Sequence, residues 1–309
     1  MTTGDIQATF AKSGQSHGAD GTVFAHEPVR LRTLIWRQFL RHRLAVYSSI
    51  VLGVVVLSAV FAPLVAPHDP SYIDPLAFDQ PPSPQHPLGT DRVGRDVLSR
   101  LIYGGRISLS VGVVAVSIYM IIGMILGSLA GFYGGWVDGV ISRLIDIVLS
   151  FPYLMLILVL VSLLGPGLGN IMLALGLLGW PQVARILRGE FLRLRSNDFV
   201  LAARTVGVPN RRIIVSHIIP NAMGPLLVAA TFGVATAILA ESALSFLGLG
   251  VQPPASSWGQ MLNDAQSLTI LESKPWIWVP PGIMILISVL SINFIGDGLR
   301  DALDPQLRG

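Results

Sequence analysis

Long uncharged stretches alternate with short polar ones along this chain. Six uncharged stretches are long enough to cross a bilayer, which takes roughly 17–25 residues of helix. They are residues 44–66, 107–130, 147–164, 168–184, 222–240 (continuing past Glu241 to 247) and 276–296. The pattern predicts an all-α, polytopic membrane protein with six transmembrane helices, the fourth being the shortest and the third kinked at Pro152.

Composition agrees with a membrane protein and removes several kinds of chemistry. Only 13% of the 309 residues are charged, against about 25% in soluble domains. There is no cysteine, which excludes disulfides and thiolate sites. P-loop, H-E-x-x-H and G-x-S-x-G motifs are absent, and the six histidines lack metal-ligand spacing. We therefore expect no enzyme, no metal site, no cofactor in this chain and no nucleic-acid partner.

The basic residues are distributed unequally between the loops. With the N-terminus inside, 16 of the 21 Lys and Arg residues fall on the inner side and five on the outer side. This asymmetry predicts that both termini are cytoplasmic.

The regions outside the spans divide the chain. Residues 1–28 are polar and predicted to be disordered, and residues 30–43 place five arginines among helically spaced apolar residues, which is typical of an amphipathic interfacial helix. We divide the chain into that N-terminal region (1–43), the first span (44–66), an extracytoplasmic segment (67–106), a transmembrane core (107–298) and a cytoplasmic tail (299–309).

The predicted outer segment combines prolines with arginines. Seven prolines lie between Pro67 and Pro87, so this part is expected to run extended. Four arginines follow at 92, 95, 100 and 106. The pairs Asp91–Arg95 and Asp96–Arg100 have helical i, i+4 spacing, and we interpret them as surface ion pairs worth less than about 1 kcal/mol each.

A third charged pair and a glycine repeat lie in or beside the spans themselves. Arg143 and Asp146, at the inner mouth of the third span, are predicted to neutralise each other. Gly123, Gly127 and Gly131 form a doubled G-x-x-x-G in the second span. This repeat predicts close helix packing, within the subunit or against a partner.

Glu241 and Asn293 are the candidate polar groups of a translocation pathway. Glu241 lies towards the outer end of the fifth span. A carboxylate there is costly and indicates either a polar pathway or a hydrogen bond to a neighbouring helix, and both interpretations stay open. Asn293 is the weaker candidate, since single amides often hydrogen-bond between helices.

One polar stretch, residues 185–221, is the large basic loop between spans. It holds seven arginines and two acids. A short helix, Asp198–Val206, is predicted within it, with Asp198 as its N-cap and with Gly207 and Pro209 ending it. Small side chains at Ala202 and Ala203 leave room for a docking partner.

This stretch resembles the Glu-Ala-Ala loop of ABC importer permeases. Ala202, Ala203, Gly207 and Pro220 match that pattern at the correct spacing, while Leu201 replaces the Glu and His217 replaces an Ile. The resemblance implies a coupling helix, with Leu201, Ala202, Ala203, Arg204 and Gly207 facing an ATPase subunit.

The resemblance extends over nearly the whole chain. Residues 62–67, 86–106, 244–250 and 293–305 are similar to the second permease subunit of dipeptide, oligopeptide and nickel ABC importers. It implies a type I importer architecture in a prokaryotic plasma membrane. The implied partners are a homologous permease, two ATPase subunits or domains that bind ATP and Mg²⁺, an extracytoplasmic substrate-binding protein and membrane lipid.

Three other interpretations remain open from the residues alone. One is an importer of nickel or another small solute in the same family. The others are a membrane receptor that uses the same spans, and an ion-coupled secondary transporter, which would require inverted repeats and several buried ionisable groups.

Overall fold

The structure, a computed structural model, describes the backbone of residues 31–303 and the side chains from residue 35 onwards. The polar residues 1–28 and the end of the tail lie outside this range. The described chain is helical, and the only strand-like pairing within it is an isolated bridge between Thr90 and Asp96. This agrees with the predicted all-α class.

Thirteen helices are present in the described range. They are α1 (Leu31–Arg41), α2 (Arg43–Val60), α3 (Ala62–Val65), α4 (Val97–Tyr133), α5 (Gly135–Leu149), α6 (Tyr153–Leu164), α7 (Leu168–Leu194), α8 (Asp198–Thr205), α9 (Asn210–Arg212), α10 (Ile219–Phe246), α11 (Trp258–Asn263), α12 (Leu268–Ser273) and α13 (Pro275–Leu303). A π-helical turn, Ile213–Ile218, joins α9 to α10.

Within residues 31–303, five helical stretches are long and apolar enough to cross a membrane. They contain α2, α4, α7, α10 and α13, and the pair α5 and α6 supplies a sixth if it is counted as one broken span. That pair is bent by 86°. The predicted third span is therefore not one kinked helix, because Pro152 lacks an N–H and α6 begins directly after it.

Several helices extend well past the predicted spans. α4 begins at Val97, so the last ten residues of the predicted outer segment 67–106 are helical, and α7 continues to Leu194, into the predicted basic loop. Asp96 begins α4 by accepting a hydrogen bond from the backbone N–H of Ser99 at 2.8 Å. The apolar pattern predicts only which residues can lie within the membrane. The residue at which a helix begins is determined by local caps such as Asp96, so a helix can extend beyond its apolar stretch.

The most extensive helix–helix contact among residues 31–303 joins α4 to α7, and three glycines make it close. A Cβ atom added to any of these glycines would clash with α7. On Gly123 it would lie 2.6 Å from the Cβ of Val183, and on Gly127 it would lie 2.6 Å from the carbonyl oxygen of Ala184. On Gly131 it would lie 2.4 Å from the Cβ of Phe191. The three glycines thus bring α4 against α7 within this one chain. α10 packs on both α4 and α13, and α2 lies against α13.

Candidate functional site

Helix α8 sits beside the C-terminal end of α4, and its own ends are defined by local chemistry. Asn197 occupies the N-cap position without a side-chain hydrogen bond, and Asp198 is the first helical residue, so the predicted capping role of Asp198 is wrong. At the other end, the N–H of Val208 donates to Ala203 and that of Gly207 to Arg204, both at 3.0 Å. Gly207 has φ +80°, which suits glycine.

The two faces of α8 have different surroundings. Val200 is fully buried, and Ala203 and Val208 pack against the same central core. Leu201 and Val206 face outwards, with 48% and 83% of their surface exposed. One face of α8 therefore packs on the core, and the opposite face presents apolar side chains to the surroundings. The residues around α8 in the sequence are otherwise rich in arginine.

Arginines connect α8 and α7 to the C-terminal end of α4 and to α5. The guanidinium of Arg204 lies 5.0 Å from the centre of the Phe132 ring, a cation–π distance. Arg195 donates to the carbonyl of Gly131 at 3.3 Å. Arg204 thus interacts with its own chain, which limits what it can offer a partner.

Two ion pairs join α7 to α5. Arg188 binds both carboxylate oxygens of Asp138, one of them at 2.7 Å. Asp146 pairs with Arg185 at 3.1 Å, so the predicted neutralisation of Asp146 by Arg143 is wrong. The bend between α5 and α6 lets α7 bring Arg185 to this carboxylate.

A cleft of ≈ 270 Å³ lies between α7 and α10, with one lining residue each from α4, α5 and α6. Tyr119 forms part of its wall, inserted between Gly179 and Gly233, which approach its ring and hydroxyl too closely for a Cβ. Gln182 and Thr236 are exposed polar residues in its lining. Polar side chains on otherwise apolar helices are the sequence signal that could have located this cleft.

Glu241 and Asn293, the residues predicted for a pathway, do not line this cleft. Glu241 is fully buried and accepts hydrogen bonds from Ser245 at 2.6 Å and Ser108 at 3.1 Å. Ser108 in turn accepts the backbone N–H of Trp258 at 3.2 Å. This geometry favours the interhelical interpretation of Glu241, which joins α10 to α4 and α11. Asn293 is half-buried on α13, and its side chain makes no hydrogen bond within residues 35–303.

A buried charge cluster lies at the N-terminal end of α4. Arg100 is 1% exposed and donates to Asp91, to Asp264 at 3.1 Å and to Gln260 at 2.7 Å. The predicted pair Arg95–Asp91 is present at 2.8 Å. The predicted pair Arg100–Asp96 is wrong, because Asp96 caps α4 and also contacts His86 at 2.9 Å.

This cluster joins two segments that are distant in sequence. Asp91 precedes α4, while Gln260 and Asp264 belong to the region of α11. The assumption of exposed surface pairs was wrong, since Asp91 and Asp96 are each 2% exposed. No local pattern shows that Arg100 also binds Gln260 and Asp264, which lie 160 and 164 positions away.

Helices of this length and arrangement define a polytopic membrane transport subunit, and comparison with known proteins identifies its type. A chain of the MetNI methionine ABC transporter, solved in inward-facing conformations, superposes with a TM-score of 0.54 at 20% identity, covering 66% of this chain and 96% of that one. The shared fold is that of an ABC importer permease.

Family models give a more specific assignment. Residues 123–309 match the binding-protein-dependent transport system inner membrane component, and residues 31–82 match the N-terminal transmembrane domain of oligopeptide transport permease C. The chain belongs to this family of ABC importer permeases, in its dipeptide and oligopeptide branch.

Individual relatives agree with that assignment over most of the chain. The dipeptide transport system permease protein DppC of Bacillus subtilis is 43% identical over 88% of this chain and 85% of its own length. The oligopeptide permease OppC of the same organism is 42% identical over 88% of each chain. The di/tripeptide permease DppC of Pseudomonas aeruginosa is 42% identical over 88% of this chain and 91% of its own.

Proposed function

We propose that this chain is the C-type permease subunit of a peptide importer, and that α8 is the element through which ATPase subunits move it. The observation that carries the proposal is the two-faced geometry of α8, with Val200 anchored in the core and Leu201 and Val206 exposed. Exposed apolar side chains on a basic loop indicate a protein partner. Leu201, Ala202, Ala203, Arg204 and Gly207 are the proposed coupling residues.

The connections of α8 suggest how motion would reach the spans. Arg204 contacts Phe132 at the end of α4, and Val200 belongs to the same hydrophobic cluster as Phe191 and Leu194 of α7. The glycines at 123, 127 and 131 hold α4 and α7 closely together. On the other side, the π-helical turn leads into α10. A displacement of α8 would therefore move α4 and α7 as one body relative to α10, with the irregular turn absorbing the difference.

The cleft bounded by Tyr119, Gln182 and Thr236 is the proposed part of the translocation surface. It lies between that body and α10, so it would open or close as they move. A homologous permease would supply the other half of the pathway. Two ATPase subunits would bind ATP and Mg²⁺, and this chain would carry out no bond chemistry.

The remaining parts of the proposal follow from the positive-inside asymmetry and from the relatives. We place the chain in the plasma membrane of a prokaryote with both termini and α8 in the cytoplasm. The segments before α4 and around α11 would then face a substrate-binding protein outside. Peptides are the proposed substrate class because the relatives named above carry that description.

The test changes only the exposed face of α8. Val206→Asp should leave the subunit inserted and stable, because 83% of Val206 is exposed. A carboxylate in an apolar contact should lower peptide uptake and peptide-stimulated ATP hydrolysis by the reconstituted complex at least about tenfold. Val206→Thr, similar in shape and uncharged, is the matched control. Normal uptake in Val206→Asp would contradict the coupling role of this face.

A further inference from the structure

Two histidines and an aspartate meet at the N-terminal end of α4. His68, His86 and Asp96 each direct one ligand atom towards the others, and these atoms all lie within 4.8 Å of one another. The Asp96 oxygen Oδ1 is 2.9 Å from Nδ1 of His86 and 3.8 Å from Nδ1 of His68. No other such group of three occurs among residues 31–303.

Nδ1 of His68 is the observation that points to a ligand. This atom is buried and has no hydrogen-bond partner, although buried polar atoms are normally paired. It faces the carboxylate of Asp96, whose side chain is 1% exposed. A cation between the two rings and the carboxylate would satisfy the unpaired nitrogen and offset the buried negative charge.

The three groups are already held in place by bonds that a metal would leave intact. The second oxygen of Asp96, Oδ2, accepts from the N–H and hydroxyl of Ser99 at 2.8 and 2.7 Å. The same hydroxyl accepts the backbone N–H of His68 at 3.0 Å. The backbone N–H of His86 donates to the Ser83 hydroxyl at 3.1 Å. Support of this kind orients the ligands of known metal centres.

We propose that His68, His86 and Asp96 form a binding site for a divalent transition-metal ion, with Zn²⁺ the expected occupant. Two imidazole nitrogens and one carboxylate oxygen suit zinc, whereas Mg²⁺ and Ca²⁺ favour oxygen ligands throughout. Zinc bound at roughly 2.0–2.2 Å in tetrahedral geometry holds its ligands roughly 3.4 Å apart. The separations of 2.9 and 3.8 Å from Oδ1 of Asp96 lie on either side of that value, and all three ligand atoms lie within 4.8 Å of one another, so a small closure of the site would complete the geometry.

The position of the site indicates what the ion would do. His68 and His86 bracket most of the proline-rich segment, and Asp96 is the cap of α4. A bound ion would clamp both ends of that irregular segment to the first turn of a long helix. A fourth coordination position stays available, since the side chain of His68 is 34% exposed.

The test uses the full chain purified in detergent, stripped with a chelator and titrated with Zn²⁺ alone. We expect one zinc per chain by elemental analysis, a higher thermal unfolding temperature with zinc, and an X-ray absorption spectrum showing two imidazole ligands. His68→Gln should weaken zinc binding at least about tenfold and reduce the imidazole count to one. Its stability without zinc should stay close to that of the parent chain, because Nδ1 of His68 makes no hydrogen bond and the substitution removes only the packing of its ring on His86, with the ring centroids 4.8 Å apart.

His217→Gln is the matched control, since this histidine lies outside the cluster and should leave zinc binding unchanged. Substoichiometric zinc in the parent chain would overturn the proposal and leave an ordinary His86–Asp96 hydrogen bond. Equal zinc affinity in the parent chain and His68→Gln would overturn it too, because the ion would then bind elsewhere. Neither readout requires transport, so the proposal stands or falls independently of the coupling role of α8.

Discussion

Gly127→Ala tests how closely α4 and α7 must approach. A Cβ on Gly127 would lie 2.6 Å from the carbonyl oxygen and 2.9 Å from Cα of Ala184. Ordinary contact begins at 3.4 Å, so the helices would have to separate locally by about 0.8 Å. Both obstructing atoms are backbone, and no side-chain rotation can relieve the clash.

The expected magnitude follows from two opposing effects. Overpacking a well-packed contact costs about 1–3 kcal/mol. Replacing a helical glycine by alanine recovers about 0.5–1 kcal/mol through backbone entropy. A net destabilisation of roughly 1 kcal/mol, and at most about 2.5 kcal/mol, is therefore expected for Gly127→Ala. Transport should decline as well, because separating α4 from α7 reshapes the cleft wall at Tyr119.

Gly53→Ala is the matched control, because Gly53 is also helical and a Cβ there meets nothing within 4 Å. This variant should be at least as stable as the parent chain. The assay is thermal unfolding of the purified subunit in detergent, followed by peptide uptake in reconstituted vesicles. If Gly127→Ala unfolds at the same temperature as Gly53→Ala, the close packing derived for α4 and α7 is refuted.

Two further predictions concern buried polar groups. Arg100→Met should destabilise the protein by about 3–5 kcal/mol, because Asp91 and the other partners of Arg100 would be left buried without their cation. Thermal unfolding measures this loss, and Arg92→Met, at an exposed arginine, is the control. An equal loss of stability in the two variants would contradict the buried cluster. Glu241→Ala should cost about 1–3 kcal/mol through unpaired serine hydroxyls. Glu241→Gln, which can still accept one of these bonds, should retain most stability and uptake; an uptake defect in the Gln variant at unchanged stability would instead assign Glu241 to the pathway.

Much of the architecture could be predicted because it is encoded locally. Apolar length identified five of the spans, and spacing alone placed the short helix that ends just before Gly207. The sequence did not predict that the third span consists of two helices, α5 and α6, bent by 86°. The pattern shows that Pro152 interrupts a helix, but it carries no information on the angle between the two parts. The sequence also could not decide which residue caps α8. Asn197 and Asp198 are both good N-cap residues, and the prediction chose Asp198 whereas the structure places Asn197 there.

Sequence by itself determined the membrane class, the helical fold, the family and the position of the element proposed for coupling, since each depends on composition or on residues within a few turns of one another. Tertiary structure alone decided what the buried polar groups do. Arg100 meets Asp264 across 164 positions, and Glu241 meets Ser108 across 133. His68, His86 and Asp96 have no recognisable spacing, because an irregular segment brings them together. Desolvation makes such groups find partners, but which partners they find depends on how the helices pack.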